Sequence, residues 1–296
     1  MPGLSEIITN IQGIPQQNRP SYLMSECGKY IKEISNITGR NTIAYYSGWM
    51  KYNVQEVSIV ESDVNAFMNA VYQMDRGKGL DIVLHTPGGN IAAAECIVNY
   101  LKSLFGNDIR AIIPQISMSA GTMIAMSCRS IIMGRQSSLG PIDPQINGVA
   151  CQMVVDEFAR AVSEVERRPA SLGLWQTIIS KYGPTYLTVC EDAIKWSKEL
   201  AKKWLMEVNP KIDINKVEET FINHEKSYSH NRHISKEDCK IAGLNIVDLE
   251  DNQQLQENVL SLHHCFMTLI DLAPLSKVVI NQNGRNYIQS VNIDKK

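Results

Sequence analysis

No stretch of this 296-residue chain approaches the roughly 20 consecutive apolar residues that a membrane-spanning helix needs. Its first residues carry Glu6 and no apolar core behind a basic start, so they do not read as a secretory signal. Charge of one sign is also lacking. With 29 Lys and Arg against 31 Asp and Glu the net charge is −2, which gives no electrostatic pull toward nucleic acid or an anionic membrane. The seven cysteines are odd in number and contain no Cys-x-x-Cys pair, which argues for a reducing compartment over a disulfide framework. No Gly-x-x-x-x-Gly-Lys-Ser/Thr loop occurs, so any ATP-driven step must come from another chain. His263-His264 has no ligand spacing, and neither a metal nor a cofactor is expected. What remains, 44% hydrophobic and 20% charged, is an ordinary globular composition, long enough for one large domain or two.

The informative stretch runs from Leu80 to Pro144. Leu80–His85 is a continuous apolar run without helical spacing, hence a buried strand. It ends in Thr86-Pro87-Gly88-Gly89, where two glycines free the backbone to turn its N–H groups outward. The spacing predicts a helix over Ala92–Leu104, a strand over Ile109–Ile116, and a helix from Thr122 directly after Ser117-Met118-Ser119-Ala120-Gly121. A serine on a tight strand-to-helix turn holds its hydroxyl clear of its own backbone, near the positive end of the helix. The N–H of Ala120 and one from Gly88 or Gly89 then make a candidate oxyanion hole for Ser119. Either turn alone is an ordinary place for small residues. Their pairing, one strand-helix unit apart, is the signal.

These residues resemble the Clp-protease/crotonase fold, and within it the serine dehydrogenase proteinase (SDH) family, relatives of the Clp proteolytic subunit and of signal peptide peptidase A. The segments that carry the resemblance are Tyr45–Trp49, Leu84–Asn90, Met118–Ala125, Ser137–Gln145 and Gly243-Leu244, so it covers about residues 40 to 250. The resemblance implies an α/β fold of repeated strand-strand-helix units, a peptide or protein substrate, and a bacterial or archaeal cytoplasmic setting. It also implies a homo-oligomer, with trimers or hexamers expected, and a separate ATPase or unfoldase if substrates must be unfolded.

Aligning on Arg232, Ile234-Ser235 and Gly243-Leu244 places Asn231 where Clp subunits carry the triad aspartate, with His230 beside it. The Clp histidine position falls on Asp143, which lies 24 residues after Ser119. The chain therefore departs from the Clp order Ser, His, Asp and carries Ser119, Asp143, His230, with acid and base exchanged. Such an exchange is chemically sound. A serine needs a base, imidazole is suited to that task near neutral pH, and a carboxylate on its far nitrogen fixes the tautomer.

Competing readings stay open. His233 is a second candidate base, although the Clp pattern is apolar there, which favours a packed residue. Asp143 also suits a turn before Pro144, and His85 suits a core histidine. Ser117 is the other serine of the turn. A Ser/Lys dyad of the signal peptide peptidase A kind would need Lys181 or Lys195, with burial lowering its pKa. Two readings belong to other classes: a crotonase-like enzyme acting on acyl-CoA thioesters, and a non-catalytic oligomeric scaffold.

Elsewhere, 1–40 is expected to be a helical or irregular arm, with Tyr22–Ile37 helical, packing on a neighbouring subunit or acting as a lid. The core is expected over 41–150, opening with a strand at Thr42–Trp49. A short strand at Val57–Val60 and a helix over Val64–Met74, capped by Ser62 or Asp63, follow. Ser130–Gly134 reads as a strand. An added helical insertion is expected over 151–227, with helices at Cys151–Glu166, Leu174–Tyr182, Thr185–Val208 and Val217–His224, the first presenting Val154, Phe158, Val162 and Val165 on one stripe. The chain then returns to the core over 228–250, through Tyr228 to Ser235 and a helix ended by Gly243. The C-terminal 251–296 carries a helix at Leu255–Leu272 and a hairpin turned at Asn283-Gly284.

Overall fold

The computed structural model describes residues 3–223 and 229–291. His224 and Tyr228, and with them the expected end of the insertion, lie outside the described residues. A seven-stranded, mostly parallel sheet forms the centre, in the order β10-β5-β3-β2-β1-β11-β12. Its strands are β1 (Asn41–Ser47), β2 (Leu80–His85), β3 (Ile109–Ile113), β5 (Ser130–Met133), β10 (Ile246–Asp248), β11 (Leu275–Asn281) and β12 (Asn286–Ser290). The strands from β10 to β1 run parallel, and the C-terminal hairpin closes the edge antiparallel to β1. That hairpin completes this chain's own sheet.

Period-two alternation sends side chains to two separate cores. Ile43, Tyr45, Ile82, Leu84, Ala111, Ile113, Ile131 and Met133 face one layer. Its helices are α3 (Asp63–Val71), α4 (Ile91–Phe105), α5 (Ala120–Met126), α8 (Tyr186–Val208) and α9 (Ile214–Phe221). Ala44, Tyr46, Val83, Ile112, Ile132, Val278 and Ile280 face the other, covered by α1 (Leu4–Gln12), α2 (Arg19–Thr38) and α11 (Gln253–Leu272). Leu23, Cys27, Ile31 and Ile34 of α2 are buried in that second layer, with α11 as the neighbouring helix, so the N-terminal arm packs within its own chain.

Several local expectations are corrected. The strand expected over Ile109–Ile116 is broken at Pro114-Gln115, and β4 (Ile116–Ser117) leaves the main sheet for a second one. Val57–Val60 is not a strand. It ends a short 3-10 turn (Gln55–Val57), and Ile59 makes a single parallel bridge to Gly89. Ser62 makes no capping bond to α3, and the Asp63 side chain instead turns into the core. In α6 (Cys151–Arg167) Val154 is buried, but Val162 points to solvent, because only part of that helix meets α8.

The second sheet is small and decisive. β4 runs parallel to β6 (Ser138–Leu139), which pairs antiparallel with β9 (Ile234–Ser235). Ser119 follows β4, Asp143 follows β6 and His230 precedes β9. Because β9 is antiparallel to the other two, the segment before it meets the segments that follow them. Three positions spread over more than a hundred residues thus arrive at one end of one sheet.

Candidate active site

Ser119 occupies the N-cap position of α5 with φ 50° and ψ −120°, a backbone conformation rarely held by a residue with a side chain. Such strain costs on the order of 1–3 kcal/mol and persists only where the surroundings over-determine it. Here they do. Gly121 N–H donates to Met118 C=O at 2.8 Å and Met123 N–H to Ser119 C=O at 3.0 Å, which closes the turn. Thr122 Oγ1 donates to Ser117 C=O at 2.8 Å and accepts from Gly140 N–H at 3.0 Å, which ties the elbow to the chain leaving β6.

The glycine turn lies directly against this elbow. Met118 N–H donates to Thr86 C=O at 3.0 Å, and Thr86 bridges Ser117 in parallel. Gly88 has φ 91° and Gly89 φ 151°, both positive. Gly88 N–H donates to Thr86 Oγ1 at 3.1 Å, so that donor is spent inside the turn. Gly88 C=O accepts from Ile59 N–H at 2.7 Å, and Asn90 N–H donates back to Ile59 C=O at 2.9 Å. Asn90 Oδ1 then caps α4 by accepting from Ala92 N–H at 2.7 Å. The N–H groups of Gly89 and Ala120 have no acceptor among the described residues. Of the two glycines left open by the sequence, Gly89 is the one with a donor to give.

Asp143 and His230 meet across the chain. Asp143 has a side-chain exposure of 3% and faces His230 Nδ1 with Oδ1 at 2.7 Å. Its other oxygen, Oδ2, accepts from Gln145 Nε2 at 2.8 Å. With Nδ1 engaged by the carboxylate, His230 is left with Nε2 to act on a proton elsewhere. Ser119 and His230 line the same pocket, about 530 Å³ in volume, together with Gly88, Gly89 and Ala120. Ile91, Met123, Ile142 and Ile146 make its apolar walls, and Ala193 and Trp196 of α8 supply one side. The insertion therefore shapes this pocket. It also holds the acid loop, since Ile142 N–H donates to Phe221 C=O at 2.8 Å and Ser197 Oγ to Ile142 C=O at 2.8 Å. Among the described residues, no Asp, Glu, Lys or Arg lines the pocket.

The competing residues fall elsewhere. His233, expected to be packed, is exposed and pairs with Ser138 Oγ at 2.8 Å through Nδ1, because β6–β9 pairing turns it away from the pocket. Asn231 is exposed. Ser117 is fully buried beneath Gly121, where a Cβ would come within 2.6 Å of its Oγ. Lys181 and Lys195 are exposed and do not line the pocket, so neither has the burial a lysine base requires. His85 is buried on the α11 face among Tyr46, Trp49 and His263, away from Ser119. Among the described residues no group of three His, Cys, Asp or Glu is placed to hold a metal ion.

Gln145 was missed in the sequence, although a signal for its setting was there. Asn147-Gly148, with φ 52° and 78°, forms a tight turn between β7 (Gln145–Ile146) and β8 (Val149–Ala150), the kind of pair that favours a two-residue hairpin.

Comparison with known proteins agrees with this architecture. A family model described as ClpP-like SDH-type serine proteinase matches residues 34–262. Two uncharacterized proteins of Methanocaldococcus jannaschii are similar over shorter stretches. One, MJ0137, is 33% identical over 121 residues, 41% of this chain and 40% of its own length. The other, MJ1495, is 31% identical over 107 residues, 36% of each chain. The alignments thus span about two fifths of the relatives they match.

Proposed function

The chain belongs to the ClpP-like SDH-type serine proteinases, and on that premise we propose that it hydrolyses peptide bonds through an acyl-enzyme formed on Ser119. The observation that carries this reading is the pairing of His230 Nδ1 with buried Asp143, in a chain whose strained Ser119 opens on the same pocket as His230. Ser119 Oγ attacks the substrate carbonyl carbon as His230 Nε2 takes its proton. The oxyanion that develops is met by the N–H groups of Gly89 and Ala120, each donor contributing about 2.7–4 kcal/mol to the transition state. Collapse breaks the C–N bond, and the amine leaves with the proton from His230. Water, deprotonated by the same histidine, then hydrolyses the ester and returns Ser119.

Within this reading the core of 41–150 with 228–250 carries the chemistry, and the 151–227 insertion walls the substrate pocket. The protein works in the cytoplasm as a homo-oligomer of trimeric or hexameric order. Unfolding of large substrates, where needed, falls to a separate ATPase. The acyl-CoA alternative is disfavoured by Ser119 itself: polarising a thioester between two N–H groups requires no serine held at positive φ.

A fluorophosphonate probe with intact-mass and peptide mapping tests the proposal. Labelling confined to Ser119, lost in Ser119→Ala and strongly slowed in His230→Ala, is the expected result. Labelling that survives His230→Ala unchanged would overturn the assignment of the base.

A further inference from the structure

Asp143 has two carboxylate oxygens, and among the described residues each has one partner. Oδ1 faces His230 Nδ1 at 2.7 Å, and Oδ2 accepts from Gln145 Nε2 at 2.8 Å. A carboxylate held by one bond can rotate about its Cβ–Cγ axis, and that rotation would swing the imidazole it holds. A second donor on the other oxygen stops the rotation. It also draws off part of the negative charge, so the carboxylate stabilises an imidazolium less strongly.

Gln145 is built to give such a bond. It opens β7 and pairs with Ala150 across the Asn147-Gly148 turn. Pro144, which precedes it, fixes φ, and its C=O accepts from Cys151 N–H at 3.0 Å at the start of α6. The amide donor and the acid beside it are therefore held by a short hairpin, a proline and a helix start, and Gln145 lines the same pocket as Ser119 and His230.

We propose that Gln145 is a positioning residue of this site, locking the Asp143 carboxylate so that His230 is aimed at Ser119. The inference rests on the serine-peptidase reading given above. Replacing Gln145 by methionine keeps the volume and removes the donor. Replacing it by glutamate keeps the shape and sets a second negative charge beside Asp143.

Two readouts on the full-length chain test this. The first is the pH dependence of fluorophosphonate labelling at Ser119. The second is the titration of His230 followed by long-range proton–nitrogen NMR, which needs no activity. A hydrogen bond to a charged group affects rates by about tenfold or more. Gln145→Met is expected to slow labelling at pH 7 about tenfold and to move both the His230 midpoint and the acid limb of the labelling profile upward. Gln145→Glu is expected to move both further in the same direction. If Gln145→Met fails to fold, Gln145→Glu gives the same two readouts. A folded variant that labels as the wild type does and leaves the His230 titration unmoved overturns the role while the peptidase reading stands. Slower labelling with an unmoved titration overturns it too, since loss of packing alone would do that. A wild type that never labels at Ser119 defeats the peptidase reading, and this inference with it.

Discussion

Gly88 and Ser119 are in backbone contact: a Cβ on Gly88 would lie 2.7 Å from Ser119 Cβ, 2.5 Å from Met118 O and 2.8 Å from Ala120 N. None of these neighbours is a flexible side-chain tip, so nothing can give way cheaply. The two turns that the sequence presents separately pack as one unit, with Gly88 against the Met118–Ala120 backbone.

Gly88→Ala should therefore damage the site well beyond what one methyl group suggests. Besides the clash, φ 91° strains any residue with a side chain, at a cost on the order of 1–3 kcal/mol. Labelling of Ser119 is expected to fall at least about tenfold and the melting temperature to drop, checked by mass spectrometry and calorimetry on one sample.

Asp143→Asn removes charge but keeps shape. Its amide could then donate to His230 Nδ1 and force the wrong tautomer, as in triads where this change lowers turnover by about 10⁴-fold. A labelling rate reduced by about 10³–10⁴-fold, with the fold unchanged by circular dichroism, is the expected outcome.

Acid should loosen the opposite face of the sheet. Burial pushes His85 down to about 4, and burial reinforced by its histidine neighbours pushes His263 to about 3, from the usual 6.5. Burial also lowers His264. Tyr46 and Trp49 pack beside His85, and among the described residues no carboxylate acts on its ring. The unfolded chain then binds more protons than the folded one, so stability is fully present above about pH 6.5 and is lost as pH falls toward 4. For His85 alone the loss is on the order of 3 kcal/mol. Urea denaturation at pH 7.5, 6 and 5 measures it, and His85→Phe should flatten the slope.

Lys277 and Asp63 form an ion pair with both members fully buried, at 2.8 Å from Nζ to each carboxylate oxygen. Tyr45 OH donates to Asp63 Oδ2 at 2.9 Å and Val60 N–H at 3.1 Å. Burial lowers the Lys277 pKa, which Asp63 opposes. Asp63→Ala leaves a buried ammonium without its partner and should cost about 3–5 kcal/mol by denaturant titration. Because Val60 adjoins Ile59, which clasps Gly88 and Asn90, labelling of Ser119 should slow as well. Lys277→Met in the same chain should restore part of the stability, since it removes the stranded charge.

Much of this site is legible locally. The apolar run of β2, the Gly88-Gly89 turn and the serine at the start of α5 each leave a pattern within ten residues, because strand, turn and helix are set by near-neighbour sterics and hydrogen bonds. The helix Gln253–Leu272 and the hairpin after it were equally readable. Val57–Val60 and the Ser62 cap were misread for a physical reason. Ile59 is extended only because Gly88 and Asn90 bond to it from a distant turn, and Asp63 is drawn inward by Lys277, which lies 214 residues away in sequence.

By itself the sequence determined the two turns and the serine between strand and helix, since near-neighbour residue types and spacing suffice to make them, while Asp143 came forward only through the family resemblance. Only the tertiary structure showed that His230 and not His233 meets Asp143, that Gly88 N–H is bonded within its own turn, and that Gln145 sits on the far oxygen of Asp143. Those choices depend on which N–H is already spent and which ring meets a carboxylate 87 residues away. The break at Pro114-Gln115 and the pairing of β4, β6 and β9 create those distances, and residue spacing along the chain does not encode them.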